Sequence, residues 1–437
     1  MPKAEQIPPC PARPTVSSPG GHCYDIELIT PLFGGGAKTR ETDPSFPIRP
    51  TSIRGQLQFW WRATVGAQYA TPRELRLAQT EVWGNTECAS RVQVKVEVVK
   101  VSGSIPCARY EQDSGRYRSM PTWNPPFQNT ALPYALFPFQ GQLGRGRREI
   151  EIEPASCITE ARFQLILQCD RSIDFTRQVE PALWAWVHFG GLGSRTRRGC
   201  GSLRCLKLLA KDRNELLARL RPFVAGAPDR QWPTLAATIL VGNQTDSAIK
   251  AWADVIALLR EFRQGPNLGR NPGQRPQQPG RSRWPEPETI RRITNARSSG
   301  HQRMDNIPDD AFPRAEFGLP IVFHFKDEGD PPDTVLYPAR GPEGPRERMA
   351  SPLILKAAAL QNNKYVPLIV LLKTPPLQGV DLRRGDQSLP LPQTVVVRDP
   401  RLARYPNSPM AGRSASGSAV EAFLTFAKSK NFTEVQR

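Results

Sequence analysis

Five glycines and three arginines are interleaved in one short segment, GGLGSRTRRGCGSL at residues 190–203. Glycine adopts backbone conformations closed to other residues and lets main-chain N–H groups approach an anion, while arginine supplies charge and paired donors that match phosphate. The segment therefore predicts a clamp for a phosphate backbone. The alternative is a flexible turn whose arginines are merely solvated. The predicted contacts are Gly190, Gly191, Gly193, Arg195, Arg197, Arg198 and Gly199.

A second group of cations follows another glycine run, GGGAKT at residues 34–39. Lys38 and Arg40 are predicted phosphate contacts, with simple surface exposure as the alternative. A nucleotide-binding P-loop is excluded, because that motif requires glycine where this chain has Leu32 and Ala37.

Residues 52–65 have apolar side chains at helical spacing and a separate basic stripe, which predicts an amphipathic helix. Arg54 and Arg62 lie on that stripe and Arg49 just precedes the helix. All three are candidate contacts for a polyanion, although each could instead pair with a carboxylate. Trp60 and Trp61 could stack on a base, but adjacent helical residues point about 100° apart, which favours at least one in the core.

Alternating and helical patterns along the first half predict the element order βαββαβ. The strands are expected at residues 22–29, 91–101, 161–169 and 202–209, and the second helix around Leu183 and Trp186. This order is that of the ferredoxin-like fold, which the RNA-recognition motif shares. Residues 102–158, rich in Pro, Gly and Arg, would be a long insertion between the second and third strands.

The second half, residues 216–437, is expected to be a modified copy of the same α+β fold, so that residues 1–215 form the first of two ferredoxin-like (RRM-like) domains. Strands are predicted at residues 234–241, 319–325, 353–360 and 366–372. Helices are predicted from Asp246, as N-cap, and over residues 419–428. Residues 264–288 contain ten Pro or Gly and predict a disordered loop, or one that becomes ordered on binding.

Composition narrows the class of partner. The 437 residues carry a net charge of +18, which favours a polyanionic partner over an acidic protein surface. The eight cysteines include no Cys-x-x-Cys pair, and the four histidines do not lie near them at metal-ligand spacing, so neither zinc, another cofactor nor a disulfide framework is indicated. The chain shows neither a signal peptide nor an apolar span, and we expect a cytoplasmic location with no membrane partner.

The glycine-rich segment after the second predicted helix resembles the corresponding loop of the RAMP superfamily of CRISPR proteins. Other blocks are similar to the first-numbered RAMP subunits of type III-B (Cmr) effectors in particular, and together they cover most of the chain discontinuously. These blocks are ITPLFGGG at 29–36, IRPTSIRGQLQFWWRA at 48–63, EVWGNTECAS at 81–90, GRSRWPEPETIRR at 280–292, FGLPI at 317–321 and RMASPLILK at 348–356.

The resemblance implies a non-catalytic subunit that contacts the 3′ side of the guide crRNA and the paired target RNA, next to other RAMP subunits of the Cmr complex and without DNA contact. The cations and glycines above would then be RNA contacts. Two alternatives remain open. His188 could serve metal-independent acid–base cleavage of RNA, as a histidine does in guide-processing RAMP endonucleases. The chain could also be a scaffold subunit without direct RNA contact.

Overall fold

The first half of the chain folds around a four-stranded antiparallel sheet. The computed structural model describes residues 21–435 except 44, 227, 274–279, 305 and 342–343. The strands are β1 (His22–Leu28), β2 (Val92–Val101), β3 (Ala161–Cys169) and β4 (Leu203–Cys205), in the order β4-β1-β3-β2. The predicted strands are confirmed, although the fourth is shorter than expected because residues 206–208 form a 3-10 turn.

Three helices accompany this sheet: α1 (Pro50–Ala63), α2 (Pro72–Trp83) and α3 (Glu180–Phe189). Helices α1 and α3 pack on each other, and both contact strands of the sheet. Helix α2 was not among the predicted elements, although the sequence contains its start signal. Thr71 accepts from the Glu74 N–H and the Glu74 carboxylate accepts from the Thr71 N–H, a capping box followed by Pro72 at the first helical position.

The second half contains a second four-stranded antiparallel sheet. The strands of the second half, which belong to two sheets, are β5 (Thr234–Val241), β6 (Ile321–Phe323), β7 (Thr334–Pro338), β8 (Leu353–Ala359), β9 (Tyr365–Lys373), β10 (Val380–Arg384), β11 (Gln387–Ser388) and β12 (Thr433–Glu434). The longer helices of this half are α4 (Ala248–Gln264), α5 (Glu286–Thr294) and α6 (Ala419–Ser429). The order of the sheet is β12-β5-β9-β8. When the four strands of each of these sheets are numbered in chain order, both sheets have the order 4-1-3-2.

The remaining strands of the second half form a smaller sheet, β6-β7-β10-β11, with a hydrophobic cluster of its own around Ile290, Phe312 and Leu382. The Pro/Gly-rich loop, residues 264–288, precedes this smaller sheet in the chain. Residues 264–273 and 280–288 pair through backbone bonds such as Asn271 N–H to Arg281 O (2.8 Å), and Trp284 is buried. Residues 274–279, the middle of the predicted disordered loop, lie outside the described residues.

The predicted cap of α4 is corrected by one residue. The Ser247 side chain accepts from the Lys250 N–H at 3.2 Å and is the N-cap, whereas Asp246 forms an ion pair with Lys364. Both residue types favour N-caps, so composition alone could not choose between them.

Short elements complete the described part of the chain, and the insertion at residues 102–158 holds most of them. The short strands are Leu32–Phe33, Ser104–Pro106, Ala108–Arg109, Gln112–Asp113, Arg116–Tyr117, Thr122–Trp123, Gln142–Leu143, Ile150–Ile152 and Ser156–Ile158, and the short helices Leu132–Leu136, Phe175–Gln178, Glu215–Ala218, Arg221–Val224 and Arg401–Arg404. No helix among the described residues is long and apolar enough to cross a bilayer.

Candidate nucleic-acid interface

The glycine-rich loop, residues 190–201, lies where the two halves of the chain meet. Three of its glycines have left-handed backbone, with φ of +82° at Gly193, +86° at Gly199 and +65° at Gly201. A Cβ atom on Gly199 would lie 2.3 Å from the Trp252 Nε1 atom of α4, and one on Gly201 would lie 1.8 Å from the Leu192 carbonyl oxygen. These two glycines are therefore required by close packing inside the protein.

The other glycines of this loop are equally confined by protein atoms. A Cβ atom on Gly190 would lie 2.5 Å from the Trp60 Nε1 atom, one on Gly191 2.8 Å from the Gly201 carbonyl oxygen, and one on Gly193 2.4 Å from the Phe33 carbonyl oxygen. Gly193 is nevertheless exposed, unlike Gly190, Gly191 and Gly199. The glycines of the loop are thus required mainly by tight packing inside the protein. An anion could approach the loop backbone most directly at Gly193.

Arg197 and Arg198 tie the loop to the second half of the chain. Arg198 donates from Nη1 to the Leu353 carbonyl (3.0 Å) and from Nη2 to the Phe317 carbonyl (3.2 Å). Arg197 donates to the Ser351 carbonyl. Burial lowers the pKa of both guanidinium groups. Their donors serve backbone carbonyls, so we assign these two side chains a role in joining the halves.

Beneath the loop lie two buried titratable side chains. The Nζ atom of Lys356 donates to the Gly190 carbonyl at 2.6 Å, and burial lowers the pKa of this lysine to about 7. The Nε2 atom of His188 lies 2.7 Å from the Leu208 carbonyl oxygen, and burial lowers the pKa of His188 to about 3. His188 is only 2 % exposed and its ring packs on Trp184. The ring is therefore neutral at neutral pH and faces protein.

Arg195 differs from its two neighbours. Among the residues that the structure describes, its guanidinium has no hydrogen-bond acceptor, and its Nε atom is buried. Its backbone is left-handed (φ +55°), and its Cζ atom lies 5.8 Å from the centre of the Phe139 ring. Such a backbone is uncommon outside glycine and is typical of residues held by their surroundings. Burial lowers the pKa of this guanidinium too. Its Nη groups are the donors that no described protein atom occupies.

The first glycine run lies directly beside Arg195. The Ser194 N–H donates to the Phe33 carbonyl at 2.8 Å, and a Cβ atom on Gly34 would lie 3.2 Å from the Ser194 hydroxyl. Lys38 follows this run on an exposed turn and has no ion-pair partner within the described residues. The two glycine segments that the sequence singled out are thus neighbours in space.

Arg40 and Arg49 belong to the same region but are engaged by protein. Arg40 donates from Nε and Nη2 to the Glu153 carbonyl at 3.2 and 3.1 Å, and from Nη1 to the Pro138 carbonyl, which fixes the insertion beside the loop. Arg49 pairs with Asp43, with its side chain 40 % exposed. Arg49 can therefore still meet an anion, whereas the donors of Arg40 are occupied.

Arg54 and Arg62 lie against α2, the helix that the sequence analysis missed. Arg54 donates to the Trp83 carbonyl, and Arg62 donates to the Gln79 Oε1 atom at 3.1 Å. Burial lowers the pKa of Arg62. Because α2 covers the basic stripe of α1, we leave both arginines out of the interface proposed below.

A cleft of about 180 Å³ separates α1 from the glycine-rich loop. Its lining includes Gln56, Phe59, Thr196 and Arg197, and the Arg197 Cζ atom lies 5.7 Å from the Phe59 ring centre. Trp60 and Trp61 are both in the core, at 2 % and 0 % exposure, so Phe59 is the accessible aromatic side chain of α1. Phe59 was not among the predicted site residues, although the helical spacing places it between the apolar and basic stripes of α1.

His301, which lies outside this region, belongs to a group of charged side chains that the sequence did not indicate. His301, Asp327 and Asp330 present ligand atoms close enough to hold a metal ion. The Asp330 carboxylate, however, accepts from Arg291 at 2.9 and 3.0 Å, and this arginine also lies 3.1 Å from the His301 Nδ1 atom. A guanidinium at the centre of the group opposes a second cation, so an ion-pair network is the better description. Within the described part of the chain the cysteines are unpaired, and Cys10 lies outside it.

Comparisons with known proteins agree on one family. The family model of the RAMP superfamily matches residues 25–204. The Cmr subunit Cmr1-2 of Pyrococcus furiosus is 30% identical over 189 residues, which are 41% of this chain and 92% of that protein. The Cmr subunit Cmr1-1 of the same organism is 25% identical over 186 residues, 42% of this chain and 47% of that protein.

Solved structures give matches over longer stretches at lower identity. The crystal structure of apo Cmr1 from Pyrococcus furiosus matches with a TM-score of 0.49 and 17% identity, over 94% of this chain and 98% of that one. A chain in the cryo-EM structure of the type III-B Cmr-beta complex bound to cognate target RNA matches with a TM-score of 0.41 and 14% identity, over 80% of this chain and 94% of that one.

Proposed function

The chain belongs to the Cmr1 family of the RAMP superfamily, and from this we propose that it is a non-catalytic RNA-binding subunit of a type III-B CRISPR (Cmr) ribonucleoprotein effector in antiviral defence. It would contact the 3′ side of the guide crRNA and the paired target RNA, and bind other RAMP subunits of the complex. The proposal includes a cytoplasmic location and no contact with DNA. The relatives named as Cmr subunits support it.

We propose two ferredoxin-like domains, residues 1–215 and 216–437, as the frame of this function. The shared sheet order 4-1-3-2 supports this, since it is the order expected when βαββαβ chains form antiparallel sheets. In the second domain β5, α4, β8, β9, α6 and β12 supply the six elements. The smaller sheet is then an insertion, which accounts for the modified pattern of that domain.

The single observation that carries the RNA-binding proposal is the unengaged guanidinium of Arg195, next to the glycine run that leads to exposed Lys38. Arg197 and Arg198 donate to carbonyls of the second half, whereas the Nη groups of Arg195 and the ammonium group of Lys38 have no acceptor among the described residues. A guanidinium held in place by packing can bind phosphate with little loss of side-chain entropy. Arg49 and the exposed backbone at Gly193 extend the same surface.

Contacts of this kind recognise the phosphate backbone and not the base sequence. Sequence would come from pairing between guide and target, as in other guided systems. Binding should therefore be strongly salt-dependent and nearly independent of base identity.

The proposal that the subunit is non-catalytic rests on the surroundings of His188. General acid–base catalysis needs a side chain that reaches the substrate and changes protonation near neutral pH. His188 is buried against Trp184 and Leu208, and its pKa is lowered to about 3. We expect repeat RNA incubated with the purified chain in EDTA to stay intact on a denaturing gel. Cleavage by wild type that is lost in His188→Gln would contradict the non-catalytic assignment.

The RNA-binding proposal is tested with the double variant Lys38→Gln/Arg195→Gln. Loss of two phosphate contacts is expected to make the plot of log affinity against log salt shallower by about 1.4 for single strands and about 1.8 for duplexes. The loss should be equal for a guide and a scrambled single strand of the same length, because phosphate contacts do not depend on base sequence. The measurement is fluorescence anisotropy at several salt concentrations.

The matched control is Arg171→Gln, an exposed arginine after β3 at the opposite end of the first sheet. It is expected to bind RNA like wild type. Arg197 and Arg198 are kept intact, because removing them would loosen the contact between the halves and confuse unfolding with loss of binding. A folded double variant with unchanged affinity and salt slope would contradict the proposed site and favour a scaffold subunit.

A further inference from the structure

A hairpin with arginines at its tip projects from the insertion beside the proposed interface. Its strands, Gln142–Leu143 and Ile150–Ile152, pair with each other. Between them Arg145, Arg147 and Arg148 are all exposed. In the described residues none of these three guanidinium groups has an ion-pair or hydrogen-bond partner, in contrast to Arg40, Arg197 and Arg198.

The turn that carries these arginines is fixed by its own backbone. The Gly144 N–H donates to the Glu149 carbonyl at 3.1 Å, and the Arg147 N–H donates to the Gly144 carbonyl at 3.0 Å. Gly146 and Arg147 both have positive φ, +82° and +58°, which brings three arginines within four residues around one tight bend. The positive charges are therefore presented together on a defined surface.

A neighbouring hairpin adds a fourth cation. The strand Arg116–Tyr117 packs against the turn at residues 145–147, and Arg116 is also exposed. The nearest carboxylates in sequence, Asp113 and Glu149, form no ion pair with these arginines in the part of the chain that is described. Instead, Asp113 accepts from the Ser114 hydroxyl. The tip is consequently a site of net positive charge.

The base of the hairpin adjoins the cations of the proposed interface. Phe139 lies under Arg195, and the Ala155 N–H donates to the Phe139 carbonyl at 2.8 Å, while Arg40 holds Glu153. Six residues separate Phe139 from Arg145, which span at most about 20 Å. At 3.4 Å per nucleotide this is the length of about six nucleotides of a helical strand. One strand could thus reach both sites.

We propose that this arginine-tipped hairpin, residues 142–152 with Arg116 beside it, binds phosphates of the same RNA strand that Arg195 and Lys38 contact, no more than about six nucleotides away. The inference rests on the proposed function. RNA is favoured over an acidic protein segment because the tip continues the surface proposed to bind phosphates, and because guanidinium groups match phosphate oxygens bidentately.

The test compares wild type with Arg145→Gln/Arg147→Gln/Arg148→Gln on RNAs of about three and about twenty nucleotides, of which the first is too short to span about 20 Å. These side chains are exposed, so the fold should not change. With the long RNA we expect roughly tenfold weaker binding and a salt slope shallower by about 2, the value for three lost contacts with a single strand. With the short RNA, which covers only the Arg195 region, we expect little change.

The matched control is Arg340→Gln/Arg384→Gln/Arg404→Gln, in which the same amount of positive charge is removed from exposed arginines of the second half. This variant should bind both RNAs like wild type. Unchanged binding of the long RNA by the hairpin variant would overturn the inference. This holds even if the same variant failed to bind an acidic protein partner. The proposed function would still stand if Lys38→Gln/Arg195→Gln weakened both RNAs, and would fall if that variant also bound like wild type. Equal losses for both RNA lengths would also overturn the inference.

Discussion

Gly201→Ala is expected to destabilise the protein by more than about 4 kcal/mol, a loss that point substitutions reach only through severe steric or buried polar defects. The added Cβ atom would lie 1.8 Å from the Leu192 carbonyl oxygen, at a residue with φ of +65°. That oxygen belongs to backbone of the same loop, so it cannot move aside as the end of a flexible side chain could. The left-handed backbone alone adds roughly 1–2 kcal/mol.

A second glycine-to-alanine substitution is expected to change the stability of the protein in the opposite direction. Gly55 lies in the middle of α1, where an added Cβ atom would meet no atom of the described residues within 4 Å. Gly55→Ala should therefore stabilise the protein by about 0.5–1 kcal/mol, because alanine favours the helix more than glycine does. Urea unfolding of both variants followed by circular dichroism provides the measurement. A Gly201→Ala protein as stable as wild type would contradict the packing described for the loop.

Acid is expected to destabilise wild type through His188 by a few kcal/mol between about pH 6.5 and pH 3. Burial lowers the pKa of His188 from its ordinary value to about 3, so in that window the unfolded chain binds a proton that the folded chain does not. Stability therefore rises with pH across this window. The stability that the neutral, buried His188 ring contributes is fully present above pH 6.5 and is lost as the pH falls toward 3.

His188→Gln isolates this titration, because a glutamine amide can still donate to the Leu208 carbonyl but does not ionise. The difference in unfolding free energy between wild type and His188→Gln should therefore shift against wild type as the pH is lowered from 7 to 4. Urea unfolding at four or five pH values checks this. A difference that stays constant with pH would mean that the ring takes up its proton in the folded state and is not buried as described.

The RNA experiments depend on the same distinction between structural and available cations. A triple replacement of Arg195, Arg197 and Arg198 would be the direct test suggested by the sequence, but two of these side chains hold the halves together. Arg195 is the arginine of the loop whose guanidinium has no hydrogen-bond acceptor among the described residues. Pairing its removal with Lys38 changes the charge of the surface without removing a contact between the halves.

The sequence by itself determined the four strands of the first sheet, helices α1 and α3, and the family. Period-two alternation in β1, β2 and β3, and the 3.6-residue period of α1, follow from which side chains must face a core, a property of local sequence. The glycine and arginine segments could likewise be recognised without a structure. Helix α2 was also within reach, since its capping box is local, but its weaker apolar stripe concealed it.

Tertiary structure decided which cations are available. Whether an arginine meets solvent or a carbonyl depends on residues distant in sequence: Leu353 for Arg198, Glu153 for Arg40 and Trp83 for Arg54. No local pattern contains that information, because such contacts form only when separate elements pack together. The same reason explains His188, which had no recognisable partner in the sequence and is enclosed by Leu208 and Trp184 in the fold.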